Sequence, residues 1–128
     1  MKISGKTTGA LGEDIACRFL TSRGQSVIER NWRWGHLEID IITIDGEGLH
    51  FVEVKSRKAP LTADPLDNIT TTKMHRIAAA ANGYLHSAGK KAVFGTDLEV
   101  FFDVVTVVFE GKGWTVEYFP KSYTPVYL

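Results

Sequence analysis

The sequence predicts an α/β protein, a mixed sheet flanked by helices in the order helix, three strands, helix, two strands. Three observations carry this. Residues 37–55 alternate apolar and polar side chains on either side of Asp45-Gly46-Glu47-Gly48, the pattern of a β-hairpin. Residues 9–24 and 70–88 repeat their apolar positions every three or four residues, the period of a helix. Residues 101–109 are nearly continuously apolar, as in a strand buried on both faces.

In the first helix Leu11, Ile15 and Phe19 recur at intervals of four, and Ala16 and Leu20 widen the stripe. Thr7 or Thr8 caps its start and Gly24 ends it. Glu13 falls at the edge of the apolar arc, so it either leans inward or serves as a first-turn carboxylate favoured by the helix dipole. Cys17 reads as a small core residue. Residues 27–33 form the outer strand of the set. There Trp32 and Trp34, interleaved with Arg30 and Arg33, have the composition to stack on and pair with nucleic acid, although packing on a sheet is the commoner use of tryptophan.

The central hairpin places Glu38 and Asp40 on one face of its first strand and Glu53 and Lys55 on one face of its second. With a two- or four-residue loop Ile44 lies opposite Leu49. Counting outwards then sets Asp40 against Glu53 and Glu38 against Lys55, with Cβ atoms roughly 4.5–5.5 Å apart. Two carboxylates that close repel unless a proton or a cation lies between them. Beyond the hairpin, Lys55-Ser56-Arg57-Lys58 is a basic cluster, and Pro60, Asp64, Pro65, Asp67 and Asn68 mark a loop.

Ile77, Ala81 and Leu85 line the second helix, with Met74, Ala78 and Ala88 beside them. Lys73 and Arg76 sit in its first turns, against the macrodipole; they suit either an anionic partner or a solvated face. Gly89-Lys90-Lys91 ends this helix. After the apolar strand, residues 110–113 form a turn, residues 114–119 an antiparallel partner, and Pro120 and Pro125 an extended tail.

At 128 residues the chain is expected to fold as one domain. Its hydrophobic fraction of 44% and charged fraction of 23% suit a soluble globular protein. No apolar run approaches the ~20 residues of a membrane span, and the N-terminus lacks the apolar core of a signal peptide. These features predict a cytoplasmic protein with no membrane partner. The single cysteine excludes an internal disulfide. Net charge is zero, which argues against coating nucleic acid by charge alone, yet residues 1–91 hold 13 Lys and Arg against 10 Asp and Glu. A local basic surface is compatible with that distribution.

Phosphodiester hydrolysis requires a cation that polarises the phosphoryl oxygen and acidifies a water, and Mg²⁺ or Mn²⁺ is held by one or two protein carboxylates. Asp40 and Glu53 supply such a pair, and Lys55 stands beside them to orient water and balance developing charge. The competing reading is an ordinary exposed hairpin with cross-strand ion pairs. His36, His50, His75 and His86 lack zinc-ligand spacing. Ser56 and Ser122 lack a nucleophile motif, and no glycine-rich phosphate loop is present.

Taken together, these residues resemble the YraN-like family of small predicted nucleases within the PD-(D/E)xK superfamily. The resemblance rests on Gly12-Glu13-Asp14 with Ala16, Phe19-Leu20 and Gly24; Asn31 with Arg33; Glu38-Ile39-Asp40; Phe51-Val52-Glu53-Val54-Lys55 with Arg57; Lys73 with Arg76-Ile77; Tyr84-Leu85; and Phe102-Asp103-Val104-Val105. It departs where Ile39 replaces the superfamily's proline, where Leu37 replaces a glycine, and in lacking a glycine between Lys58 and Pro65. The resemblance implies a restriction-endonuclease-like fold. By analogy with archaeal Holliday junction resolvases, it assigns Glu13, Asp40, Glu53 and Lys55 to an active site. The resulting expectation is a metal-dependent endonuclease acting on branched or otherwise structured DNA. In it Asp40 and Glu53 hold Mg²⁺ or Mn²⁺, Glu13 and Glu38 support them, Lys55 activates water, and Arg33, Arg57, Lys73 and Arg76 contact nucleic acid. Folds of this kind often work as homodimers, and the sequence marks no self-association surface. Two alternatives stand beside it: a non-catalytic nucleic-acid-binding or accessory module, and a protein-interaction domain.

Overall fold

The computed structural model describes residues 7–64, 66, 69–87 and 99–123. Its elements are α1 (Thr8–Ser22), β1 (Ser26–Trp34), β2 (Leu37–Ile44), β3 (Leu49–Lys58), α2 (Thr71–Leu85), β4 (Val100–Glu110) and β5 (Gly113–Tyr123), in the expected order. Pro65, Asp67 and Asn68 of the expected loop, Ala88 and the Gly89-Lys90-Lys91 helix end, and Pro125 of the tail lie outside the described residues.

Both helices begin with a threonine cap. Thr7 accepts the Ala10 N–H and Thr70 the Lys73 N–H, each at 3.1 Å, satisfying donors that the first turn leaves open. Gly24 ends α1 at φ 92°, which lets its own N–H reach Thr21 O and that of Gln25 reach Leu20 O. The central turn is the four-residue form. The Asp45 N–H donates to Gly48 O at 3.0 Å, and the Asp45 carboxylate accepts the N–H groups of Glu47 and Gly48. Gly48 is needed there, at φ 150° and with Glu99 O lying 2.3 Å from where a Cβ would stand.

The described strands form a five-stranded sheet in the order β1-β2-β3-β4-β5, with β1 as an outer strand as expected. Among the described residues only β3 and β4 pair in parallel, and a parallel pair needs a crossover, which α2 supplies. The two helices cover opposite faces. Ile15, Ala16 and Leu20 of α1 pack on Ile41, Val52, Val105 and Val107; Ile77, Ala80, Ala81 and Tyr84 of α2 pack on Ile39, Ile42, Leu49, Phe51 and Phe102. Alternate residues of β4 thus enter different clusters, which explains its continuous apolar run. This architecture is consistent with the restriction-endonuclease-like fold that the resemblance implies.

The expected tail after Phe119 is corrected in part. β5 continues through Pro120 to Tyr123, because an edge strand tolerates a residue without an N–H. Its register shifts opposite Asp103, where Lys121 takes φ 53° and donates its N–H to the Asp103 carboxylate at 3.0 Å.

Asp103 is fully buried at the centre of a polar chain. Thr43 donates to Gln25, Gln25 to Tyr118 Oη at 2.9 Å, and Tyr118 to Asp103 Oδ2 at 2.5 Å. His50 lies between Asp103 at 2.7 Å and Asp45 at 3.0 Å. Burial opposes charging of this imidazole, but the two carboxylates outweigh it and raise its pKa. The chain ties the hairpin turn to β4, β5 and the exit of α1. Tyr118→Phe removes one donor to Asp103 and the acceptor for Gln25, and is expected to cost about 1–2 kcal/mol in urea unfolding. An unchanged midpoint would mean that the chain adds nothing to stability.

Candidate active site

The hairpin register agrees with the sequence count. Ile44 faces Leu49, and the pairing runs outwards to Ile41 opposite Val52. Asp40 and Glu53 are the next residues, and there the ladder between β2 and β3 stops. Regular pairing is also interrupted on the other side of β2, where Asn31 takes φ 51° between the pairs Arg30–Ile41 and Trp32–Ile39. Ile41 joins the core under α1 and Ile39 the core under α2, so two residues that a regular strand would place together lie on opposite faces. Leu37 and Ile39 both join the core under α2, which leaves Glu38 on the α1 side, and Glu38 and Asp40 each lie within charge range of Glu13 on that side. The strand turns at Asp40, and its Oδ2 accepts the Val54 N–H at 2.9 Å.

Glu53 is buried and receives two ammonium groups: Lys73 Nζ is 2.7 Å and Lys55 Nζ 3.7 Å from Glu53 Oε1. Burial, then the charge of Glu53, pushes the Asp40 carboxyl up to about 8, while the Val54 N–H pulls the other way. Desolvation, then Lys73 beside it, brings Lys55 down to about 8. For Lys73 burial is opposed by hydrogen bonds to Glu53 and Lys55, and the net shift is upward. The two amines thus divide the work, one firmly charged against Glu53 and one with a loosened proton.

Glu13 reaches this group from α1. Burial raises its carboxyl; the hydrogen bond with Asn31 and the charge of Arg30 oppose this, and the charges of Glu38 and Glu53 add to it. The inward-leaning alternative is the correct one. α1 comes so close to β3 because Gly12 carries no side chain: a Cβ there would meet Ser56 Oγ at 1.8 Å. Asp14, on the polar side, pairs with Arg30 at 2.8 Å.

The remaining sequence-derived residues divide. Arg57, near enough to lower the Lys55 pKa, donates to Ser56 O at 2.7 Å. Glu38 pairs with Arg33, its direct partner across β1 and β2, at 3.3 Å rather than with Lys55. Arg76 is exposed on α2, one turn beyond Lys73. Two roles escaped the sequence reading. Lys73 was expected on phosphate and lies on Glu53; Asn31 had no role and holds Glu13. An asparagine inside a strand was the available signal, since Asn is disfavoured in strands and tolerates the left-handed region.

Asp40 and Glu53 suit a hard cation that takes two protein carboxylates and completes its shell with water. A cation would also relieve the repulsion that raises Asp40. Among the described residues no three His, Cys, Asp or Glu side chains form a ready metal cage. The donors that Asp40 and Glu53 offer are carboxylate oxygens, the ligand type of a hard divalent cation. Among the described residues no helix is long and apolar enough to cross a membrane.

A family model described as "Uncharacterised protein family UPF0102" matches residues 12–107, a span that includes every residue of this cluster. A UPF0102 protein of Parabacteroides distasonis is 35% identical over 115 residues, covering 90% of this chain and 90% of that protein. One of Nitratidesulfovibrio vulgaris is 39% identical over 116 residues, or 91% of this chain and 83% of that protein. One of Chlorobaculum tepidum is 47% identical over 79 residues, 62% and 61% of the two chains.

Proposed function

Because this chain belongs to the UPF0102 family, we propose from the chemistry of its site that it is a metal-dependent endonuclease hydrolysing phosphodiester bonds in branched or structured DNA. One observation carries the reading: Asp40 and Glu53 meet where the sheet opens, with Lys55 and Lys73 on Glu53 and Glu13 behind them. Asp40 and Glu53 would hold the Mg²⁺ or Mn²⁺. When bound, such an ion polarises a phosphoryl oxygen and acidifies a water. Lys73, 2.7 Å from Glu53 Oε1, holds that carboxylate in position. Lys55, with its depressed pKa, accepts or shares a proton of the attacking water at Nζ near neutral pH. Glu13 and Asn31 buttress the carboxylates from α1 and β1. Arg57 and Arg76 offer charge to the flanking phosphates, and Arg33 does so on release from Glu38.

Purified protein incubated with branched, duplex and single-stranded DNA in Mg²⁺ or Mn²⁺ is expected to cut, with branched DNA preferred. Lys55→Ala is expected to lower the rate about 10²–10⁴-fold, the usual contribution of a positioned acid or base. Cleavage that persists in Lys55→Ala removes Lys55 from the chemistry, and no cleavage of any substrate sinks the enzymatic reading. A specific feature favours a second reading, since Lys73 already neutralises Glu53. A non-catalytic nucleic-acid-binding module would show salt-sensitive binding that is indifferent to metal and to Glu53→Ala.

A further inference from the structure

The geometry points to a stacking platform for an unpaired nucleobase, built on Trp34 and flanked by Arg76, at the open end of the site; it rests on the nuclease reading above. β1 and β2 meet at the pair Trp34–Leu37, three residues before Asp40. Trp34 is 49% exposed, one of three large apolar side chains exposed among the described residues. Its ring is nonetheless held. It stacks on Trp32 with centroids 6.0 Å apart and planes 13° from parallel, and Trp32 in turn meets the buried Tyr84 edge-on at 5.1 Å.

Below Trp34 lies Gly83 of α2, where a Cβ would stand 2.4 Å from the indole ring. Glycine inside a helix costs about 1 kcal/mol relative to alanine. Here it has no positive φ to satisfy, and its use is to let the indole lie against the helix backbone. The side chain is thus pre-organised on aromatic and backbone supports while half of its surface faces solvent. Such a surface is suited to a second planar ring.

The neighbours specify the class of ring. Arg76 lies seven residues before Gly83, hence on the same edge of α2 and about 10 Å away along the axis. Lys73, one turn earlier still, is on Glu53. From the carboxylates to Trp34 the edge of α2 therefore runs about 15 Å, with an exposed arginine between. Cations that track a backbone beside an aromatic shelf for bases are the elements of a single-strand site. A duplex keeps its base faces stacked, so the ligand is a single-stranded DNA arm leaving the scissile phosphate. Trp114 is equally exposed, at 50%, but lies on β5 at the far edge of the sheet, against Phe109. It serves as an internal control.

The test measures binding in EDTA by fluorescence anisotropy, so that metal chemistry is idle. The probes are labelled oligothymidine, a blunt duplex, and the same duplex with a single-stranded arm. Trp34→Ala is expected to weaken binding of the oligothymidine and the armed duplex about 10–100-fold, the range for losing one base–aromatic stack, with the blunt duplex unchanged. Trp34→Phe should restore most of the affinity, and Trp114→Ala should have no effect. Arg76→Ala should lower the salt slope for the armed duplex by about one. Unchanged armed-duplex binding by Trp34→Ala overturns the platform, as does an equal loss on blunt duplex or no single-strand binding by the unaltered protein. Binding as expected without cleavage in Mg²⁺ overturns the nuclease reading and leaves the platform standing.

Discussion

Asp40→Asn is expected to abolish cleavage and, at the same time, to stabilise the metal-free protein at alkaline pH. The loss should be about 10³-fold or more, because asparagine keeps the shape but not the charge that a hard cation requires. Mg²⁺ or Mn²⁺ binding followed by calorimetry should disappear with it. The gain in stability has a separate cause. In the folded chain the Asp40 carboxyl is raised from 3.8 to about 8, mainly by burial and then by Glu53. A group raised on folding contributes stability that is complete below its unfolded value and is lost as pH climbs through its folded value. The unaltered apoprotein should therefore lose stability between about pH 4 and pH 8.

Asparagine cannot ionise, and its side-chain oxygen still accepts the Val54 N–H, so Asp40→Asn should be flatter across that window. Asp40 is partly open to solvent, which shrinks the effect to about 1–2 kcal/mol at pH 8, several degrees in melting temperature. His50, also raised, adds a slope of the same sign above its ordinary 6.5, and that slope should remain in both proteins. A variant less stable than the parent at pH 8, or one with the same pH slope, would falsify the buried-carboxylate account. Retained metal binding would separately remove Asp40 from the ligand set.

Gly12→Ala should destabilise the fold by about 2–3 kcal/mol, although alanine is the better helix former by about 1 kcal/mol. The new methyl would meet Ser56 Oγ at 1.8 Å and Ser56 Cβ at 2.9 Å, and rotating the serine relieves only the first contact. α1 must then lift from β3, carrying Glu13 away from Glu53, so activity should fall along with stability. Ser56→Gly in the same chain removes both colliding atoms and should restore most of the loss, a coupling that a double-mutant cycle measures. Ser56→Ala alone should be neutral or slightly stabilising, because Ser56 Oγ is buried without a hydrogen-bond partner among the described residues. A Gly12→Ala protein as stable as its parent would show that α1 has room to move.

What could be read from the chain without the fold was local. Elements and their order follow from periods of two and near 3.6, and the caps at Thr7 and Gly24 from side-chain and backbone chemistry within a few residues. The hairpin register from Ile44–Leu49 to Ile41–Val52 followed from turn chemistry and alternation, and the same count set Asp40 against Glu53 just beyond it, where the charge of Glu53 acts on Asp40. Family resemblance, rather than helical position, pointed Glu13 towards the site.

Other features depended on groups distant in sequence. The break at Asn31 and Asp40 cannot be obtained from alternation, because it reflects the demand of both helix-covered cores on one strand. Lys73, a cation at an unfavourable helix end, suited an anionic partner and was set on a phosphate; only the packing of α2 brings it to Glu53, whose charge offsets the dipole. Pro120 read as the end of a strand until β5 lay at an edge, where its missing N–H costs nothing. The sequence by itself determined the elements, their register and the candidate carboxylate pair, since those depend on neighbours a few residues away. The tertiary structure alone decided which charges meet that pair, because the energy of a buried charge is set by groups that only folding brings within a few ångströms.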